Sequence, residues 1–386
     1  MNTIIGQAAT GDKFYIRKKL IERLWRKIEA ENNILLSAPR RIGKTSIMLY
    51  CLNNPKENYD IIYLITESVN NQNEFYRKLV KDLDEKLKTS KKVKNYIRNI
   101  VNSNKIKSIG PDGVTFDNKE VNYYEDFVNI SEQLELDGCK MIIMIDEFAQ
   151  TVENIMQDEG DQSAIKFLES VRELRINPKI SDKVQFIFAG SIGLENIASQ
   201  LNSISTINDL YPFQVTPFSI EEAEEYIYTI PLKNEKYDFQ KENIKYLLDR
   251  LAWNIPYFIN IILDEVDDIC FDQGTKIITK EIIDVAFKNS LKNRTYFEHW
   301  HRRLRKAYKQ NYYNFSKDIL NCAAKNGSIS RAEISNIAIG LEISETYKDV
   351  LNSLIYDGYL NNQNNQNIYV FNSPLLREWW FNEVTN

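Results

Sequence analysis

Glycine is scarce in this sequence, with 13 among 386 residues, about half the usual share of ~7%. Few positions can then adopt left-handed backbone freely, so the chain leans on helices and each glycine it keeps has a local reason. Cysteine is scarce too. Cys51, Cys139, Cys270 and Cys322 form no C-x-x-C pair, which excludes a zinc ribbon and a disulfide framework and predicts a reducing, cytoplasmic setting. Only two histidines occur, His299 and His301, so a His-rich metal site is excluded. At i and i+2 of a helix their rings face different ways, which removes a His-x-His metal pair. No apolar run approaches the ~18 residues of a membrane helix, and the opening MNTIIGQAATGDK lacks the charged-then-apolar order of a signal peptide. Positive charge is also not in excess: 49 basic residues face 54 acidic ones, a net charge of −5, so no whole-chain field draws in nucleic acid.

What is present describes a folded chain. Hydrophobic residues make up 43% and charged ones 27%, ordinary for a globular protein, and the length predicts two or three domains. Residues 16–30 place Ile16, Leu20, Ile21, Leu24 and Ile28 at helical spacing. Short apolar runs at Ile34–Leu36, Ile61–Ile65, Met141–Ile145 and Val184–Ala189 read as buried strands, with 213–215 a weak fifth. Helical patterns at 44–52, 72–88, 124–136 and 162–175 separate them, which predicts a parallel sheet covered on both faces. From 221 the pattern is helical over 221–230, 239–252, 256–271 and 279–309. Residues 314–386 read as three helices, the third at 343–357, followed by a hairpin of 359–361 and 368–371 around Asn362–Asn367, a winged-helix pattern. The expected domains are a core over 1–219, a helical lid over 220–312 and a winged helix over 313–386.

The strongest motif is Ala38-Pro39-Arg40-Arg41-Ile42-Gly43-Lys44-Thr45, between a predicted strand and a predicted helix. That context is the one a phosphate loop requires. Backbone N–H groups of Pro39-following residues Arg40, Arg41, Ile42, Gly43, Lys44, Thr45 and Ser46 would converge on phosphate oxygens at a helix N-terminus. Lys44 would bridge the β- and γ-phosphates and the Thr45 hydroxyl would hold Mg²⁺. Ala38 stands where the pattern's first glycine belongs. Asp146 and Glu147 end the strand Met141–Ile145 about a hundred residues downstream, an arrangement in which Asp146 would contact Mg²⁺ through water and Glu147 would polarise the attacking water. The bland alternatives are a loop that merely contains G-K-T and a strand that merely ends in acids. Ser191, after Val184–Ala189, would sense the γ-phosphate or the attacking water if its strand lies between the other two; otherwise Gly190-Ser191 is a turn.

These segments, SAPRRIGKTS (37–46), IIMIDEF (142–148) and FIFAGSIG (186–193), resemble the archaeal-type ATPases of the STAND branch of AAA+-related P-loop NTPases. The resemblance spans most of the chain. It implies an α/β fold with a parallel-sheet P-loop core, a helical lid and a C-terminal winged helix, and an ATPase that uses ATP/ADP and Mg²⁺ to couple nucleotide state to domain or partner rearrangement. Arg17 falls in the family's entry segment near the adenine, with Ile16 in the usual glycine position. Pro256 matches the proline of a G-x-P segment that packs on the nucleotide, with Asn254 replacing its glycine. LYPFQVTPFSIEEAEEYI (210–227) looks like the family's step into the lid, and SPLLREWW (373–380) like the close of its winged helix. Some relatives add a nuclease-like domain; none is expected after Trp380.

Arg172 and Arg175, late in the 162–175 helix, are candidates for an arginine finger acting on a neighbouring subunit; a solvated helix end is the alternative. Two basic stretches stand out. Residues 86–107 carry eight Lys/Arg and no acid, and 288–309 carry eight against Glu298, with Tyr296, Phe297, Trp300 and Tyr308 interleaved. Nucleic acid would bind there, but aromatics packed inward under a solvated basic face is the preferred reading. Residues 313–386 carry five basic and eight acidic residues, so the winged helix reads as a module for protein docking or self-association rather than a DNA reader. The competing functions are an ATP-modulated DNA-binding regulator or a defence- or mobile-element-associated DNA-dependent ATPase, and a small-molecule P-loop kinase. No membrane partner is expected.

Overall fold

The computed structural model describes residues 1–89, 108–110, 113–115, 122–190, 193–233, 237–308, 310–362 and 365–385. They fall into two compact units, a sheet unit of Lys18–Ser37 and Ile47–Gln214 and a loop unit of Met1–Arg17, Ala38–Ser46 and Val215–Asn386. This division differs from the domain boundaries expected above: the phosphate-loop segment groups with the C-terminal helices.

In the sheet unit, β1 (Ile34–Ser37), β2 (Tyr59–Ile65), β5 (Lys140–Asp146), β6 (Val184–Ala189) and β7 (Tyr211–Gln214) form one sheet in the order β2-β5-β6-β1-β7. Every neighbouring pair is parallel. β3 (Ser108–Gly110) and β4 (Gly113–Thr115) pair separately as an antiparallel hairpin. Parallel strands need crossovers, which cover both faces, so β5 and β6 are buried along almost their whole length. The one polar residue inside β6, Gln185, is accommodated because its side-chain amide donates to the carbonyls of Ile28 and Asn32.

The helices of this unit follow the apolar spacing. α1 (Lys18–Glu29) buries Leu20, Ile21, Leu24, Trp25 and Ile28 on one face. Ile16 lies outside the helix and is exposed, contrary to the pattern predicted over 16–30. α2 (Lys44–Asn53) opens in the loop segment. α3 (Gln72–Thr89), α4 (Tyr123–Glu132), α6 (Asp161–Ile176), α7 (Pro178–Ser181) and α8 (Leu194–Gln200) are joined by α5 (Phe148–Glu159), a helix that was not expected. Its buried Phe148, Val152 and Ile155 sit at i, i+4 and i+7, a helical stripe masked by the polar residues Gln150, Thr151 and Glu153 between them. Phe148 packs on Phe75, Phe167 and Phe188 at 4.6–5.9 Å between ring centroids, locking α3, α5, α6 and β6 together.

The loop unit is helical. Ser219 and Glu222 form a capping box that opens α9 (Ile220–Thr229). α10 (Lys241–Leu251) and α11 (Pro256–Asp272) follow, the latter with its proline in the first turn, where a missing N–H is harmless. The long helix expected over 279–309 is two helices, α12 (Lys280–Ser290) and α13 (Arg294–Ala307). The break is chemical: the Asn293 side chain accepts from the Thr295 amide and starts a new helix. α14 (Gln310–Asn326), α15 (Arg331–Gly340), α16 (Tyr347–Tyr356) and α17 (Pro374–Trp380) surround a three-stranded antiparallel sheet of β8 (Ile329–Ser330), β10 (Ile368–Phe371) and β9 (Leu360–Asn361). Phe297 and Trp300 of α13 are fully buried, as are Tyr359, Trp379 and Trp380, and the Tyr359 hydroxyl donates to the Trp300 carbonyl at 2.6 Å. Of the basic stretch 288–309, Phe297 and Trp300 thus face inward, while Arg294 and Arg302 stay exposed and pair with Glu298. The other basic stretch lies outside the described residues from 90 to 107. Among the described residues no helix is long and apolar enough to cross a membrane.

Candidate functional site

The phosphate-loop segment shows two left-handed residues, Arg41 at φ +64° and Gly43 at φ +103°. A Cβ at Gly43 would meet nothing within 4 Å, so glycine is needed there for its backbone angle. An arginine in the left-handed region is held against a cost of roughly 1–3 kcal/mol. What holds Arg41 is visible: its guanidinium donates to the Gly6 carbonyl at 2.9 Å and lies over the Tyr257 ring at 4.9 Å. Lys44 is only 7% exposed, and its ammonium donates to the carbonyls of Ala38 at 2.6 Å and Pro39 at 2.9 Å. The loop thus curls around its own cation. Ser46 accepts a hydrogen bond from the Ala9 amide at 2.9 Å, a second tie to the N-terminal segment, and Ile42 is buried beneath the loop.

Pro39 packs at the opposite side against the turn after α16. A Cβ built on Gly358 would lie 3.0 Å from the Pro39 Cβ and 2.5 Å from the Trp253 ring. Trp253 in turn meets Trp300 at 6.1 Å and Phe258 at 5.8 Å. Pro256 opens α11 just after Trp253-Asn254-Ile255. The loop segment, the Trp253–Phe258 stretch that opens α11 and the turn after α16 therefore meet around Pro39, a convergence that residue spacing does not reveal.

Arg17 is 8% exposed and forks onto Glu222 at 3.1 and 2.8 Å, donates to the carbonyls of Thr216 and Pro217, and sits over Phe218. This arginine anchors the entry segment to the start of α9. Its pairing with the capping-box Glu222 leaves the neighbouring Tyr15 hydroxyl with the Glu225 carboxylate at 2.7 Å.

In the sheet unit, Asp146 is 3% exposed at the end of β5. Its Oδ2 accepts from the Tyr63 hydroxyl and its Oδ1 from the Glu147 amide, both at 3.0 Å. Its backbone carbonyl accepts from the Thr66 amide at 3.0 Å and the Thr66 hydroxyl at 3.1 Å. Thr66 is fixed in turn by the Thr151 hydroxyl at 2.8 Å. Tyr63, Thr66 and Thr151 are the residues missed from the sequence: nothing there ties Tyr63 or Thr66 to an acid 80 or more positions away, and Thr151 is linked to it only through Thr66. Burial first, then the Asp146 charge, pushes the Tyr63 phenol well above its ordinary range, so it remains a donor to the carboxylate. Glu147 caps α5 in the left-handed region at φ 58°, a strained geometry of the kind that clusters at working sites.

The topology places β6 between β1 and β5, so the strand that leads into the loop and the strand that ends in Asp146 are parallel but not adjacent. Their C-terminal ends share the sheet edge where open α/β sheets bind ligands. The strand expected to carry the sensor does lie between them. Ser191 itself falls outside the described residues.

The two finger candidates separate. Arg175 is 4% exposed; it forks onto Asp209 at 2.7 and 2.8 Å, donates to the Thr206 carbonyl, and covers Phe188. Arg175 is thus held inside its own unit by Asp209 and the Thr206 carbonyl. Arg172, more than a third exposed and 3.9 Å from Asp209, is the one that reaches the surface.

No protein-family model matches the sequence, and no curated protein matches it. Among solved structures, the chain is similar to the Aeropyrum pernix ORC2 protein in its ADPNP–ADP complexes, with a TM-score of 0.59 and 11% identity over 96% of this chain and 94% of that one. The ADP form of the same protein gives 0.49 at 11% identity, covering 95% and 92%. Cdc6p from Pyrobaculum aerophilum gives 0.46 at 13% identity, covering 94% of each. The first of these shows a fold shared along nearly the whole chain: an α/β P-loop core built on a five-stranded parallel sheet, resembling the AAA+ fold.

Proposed function

We propose that this chain is a Mg-dependent, ATP-binding and hydrolysing switch of the STAND type, in which nucleotide state governs the arrangement of a helical lid (220–312) and a winged helix (313–386). The observation that carries the reading is Lys44, a buried ammonium in a loop of phosphate-binding sequence, bonded to two of the loop's own carbonyls. That places the ammonium inside the loop at the start of α2, and a helix N-terminus with a cation beside it suits a polyphosphate. In this reading Pro39, Arg40, Arg41, Ile42, Gly43, Lys44, Thr45 and Ser46 cradle the phosphates and Pro256 packs on the nucleotide. Thr45 and Asp146 hold Mg²⁺, Glu147 orients the attacking water, and Ser191 senses the γ-phosphate.

The donor set fits the metal. Asp146 is a hard oxygen donor whose orientation is set by three neighbours, and Mg²⁺ commonly takes one or two carboxylates plus waters and phosphates. When bound, it neutralises charge on the β- and γ-phosphates. Arg172 is the remaining candidate for completing a neighbour's site. A protein partner or a second copy is favoured over DNA, because Phe297 and Trp300 are packed inside and the C-terminal segment is acidic.

Calorimetry with ATP and ADP, together with phosphate release, tests this. Lys44→Ala should lose tight nucleotide binding, and Glu147→Gln should keep binding while slowing turnover at least tenfold. Equal ADP affinity in Lys44→Ala and the unaltered protein would falsify the placement of the phosphates.

A further inference from the structure

His299 lies on α13, and neither of its ring nitrogens has solvent contact or a hydrogen-bond partner. Buried polar atoms are nearly always paired, so two orphans on one ring need an explanation. The ring's surroundings supply one. Its edge meets Tyr257 at 5.9 Å, and the face of the same Tyr257 carries the guanidinium of loop residue Arg41 at 4.9 Å. The charges acting on His299 are Arg41 and Arg40 from the loop and Arg303 from its own helix. Arg303 is already matched by Asp357 in a buried pair at 3.1 Å. On the α11 side Tyr257 is neutral, with its hydroxyl donated to the Tyr296 carbonyl at 2.8 Å. Glu298, the adjacent acid, is taken up by Arg294 and Arg302.

Three more orphans share these residues: Arg41 Nε, Trp300 Nε1 and the buried Asn254 Oδ1. Burial and the three arginines press His299 down to about 3, so in this structure it is uncharged at neutral pH. An uncharged imidazole with both nitrogens idle, beside two loop arginines, is an arrangement completed by an anion and a proton together.

We propose that His299 is a polyphosphate-binding residue: phosphates held at the loop accept a hydrogen bond from its imidazolium, and nucleotide binding is accompanied by proton uptake at this ring. The proposal rests on the nucleotide reading given above and adds a regulatory property to it. Lowering the pH toward 6 then tightens binding, because the bound state takes up a proton that the free state does not hold. The limit is about one decade in affinity per pH unit for one proton. The imidazolium Nε2–H or Nδ1–H becomes a charge-assisted donor to a phosphate oxygen, and the proton comes from solvent.

Two measurements separate this proposal from the reading beneath it. First, with only two histidines, ¹⁵N-histidine NMR resolves both rings in the unaltered protein; His301, bonded to the Tyr313 hydroxyl at 3.1 Å, is the internal reference. Saturating Mg-ADP should raise the His299 titration midpoint from near 3 to about 6 or above and leave His301 in place. Second, calorimetry of ADP binding in buffers of different ionisation enthalpy should show net proton uptake at pH 6.5, reduced by more than half in His299→Gln, which keeps an amide donor and needs no proton. Binding with an unmoved His299 midpoint, or with the same uptake in His299→Gln, overturns the proposal while leaving the nucleotide reading intact. A protein that binds no nucleotide in calorimetry overturns both.

Discussion

Gly358→Ala tests the junction between the loop segment and the C-terminal subdomain. The glycine has φ +85°, and the new Cβ would sit 2.5 and 2.9 Å from two atoms of the Trp253 ring and 3.0 Å from the Pro39 Cβ. Left-handed backbone costs a non-glycine residue about 1–2 kcal/mol. Ordinary contact requires the indole or the turn to retreat by close to 1 Å. The indole is backed by Phe258 and by Trp300, both fully buried, so it has nowhere to swing. Overpacking of that kind costs about 1–3 kcal/mol. Together the two effects give about 2–5 kcal/mol, which for a unit of some 200 residues lowers its melting midpoint by on the order of 10 °C. Four of the five tryptophans lie in the loop unit, so intrinsic fluorescence follows the relevant transition. Gly340→Ala is the control, because its Cβ meets nothing within 4 Å and its backbone is unstrained. If Gly358→Ala melted within a degree of the Gly340→Ala control, the packing described around Pro39 would be wrong. Because the new Cβ also presses on Pro39, the variant should respond less to ADP in the same melt.

Other substitutions probe the remaining contacts. Arg303→Met strands a buried Asp357 carboxylate and should cost about 3–5 kcal/mol in urea unfolding, whereas Arg303→Met with Asp357→Leu should recover most of it; no recovery would mean the pair acts through some other contact. Tyr63→Phe removes one donor to Asp146 and should lower stability by about 0.5–1.5 kcal/mol while raising the Mg²⁺ concentration needed for half-maximal turnover. Arg175→Ala should destabilise the sheet unit and leave Asp209 with only the longer pairing to Arg172 at 3.9 Å. Arg172→Ala should leave the melt unchanged, and it should lower turnover only if subunits share a site. For His299, the folded midpoint near 3 lies below the ordinary ~6.5 of an unfolded histidine. The unfolded state then binds more protons between these values, so its contribution to stability is complete above about pH 6.5 and is lost as the pH falls toward 3. Without nucleotide, His299→Gln should flatten that part of the acid-unfolding profile.

The sheet was legible because buried parallel strands read as unbroken apolar runs: Ile34–Leu36, Ile61–Ile65, Met141–Ile145 and Val184–Ala189 all fall within strands. Helix ends were less so. Asn293 caps the start of a new helix three residues after Ser290 ends the last one, but in sequence it interrupts nothing, and α5 was hidden by buried polar side chains whose partners lie elsewhere. The motif residues Lys44 and Asp146 announce themselves by local order. Their supports, Tyr63, Thr66, Tyr257 and Gly358, are joined to them only by the fold. Arg17 and Arg175 sit where a functional arginine is expected, and each is paired with a carboxylate, Glu222 or Asp209, that spacing does not connect to it. His299 was dismissed as half of a poor metal pair, because burial and missing partners leave no mark in a sequence.

The strand order also sets a timetable. β1, which leads into the phosphate loop, pairs only with β6 and β7, and its register matches Ile34 to Ile187 and Tyr211. In that register Ile187 comes 153 residues after Ile34 and Tyr211 comes 177 after it, which at roughly 5–20 residues per second leaves Ile34, Leu35 and Leu36 without a sheet neighbour for on the order of ten seconds of synthesis. Through that interval the ribosome carries an apolar strand with unpaired backbone groups, a substrate for chaperones and a hazard for aggregation. A nascent chain released before residue 184 should therefore be captured by ATP-independent holdases, and nucleotide should rescue folding only once the chain extends past Gln214.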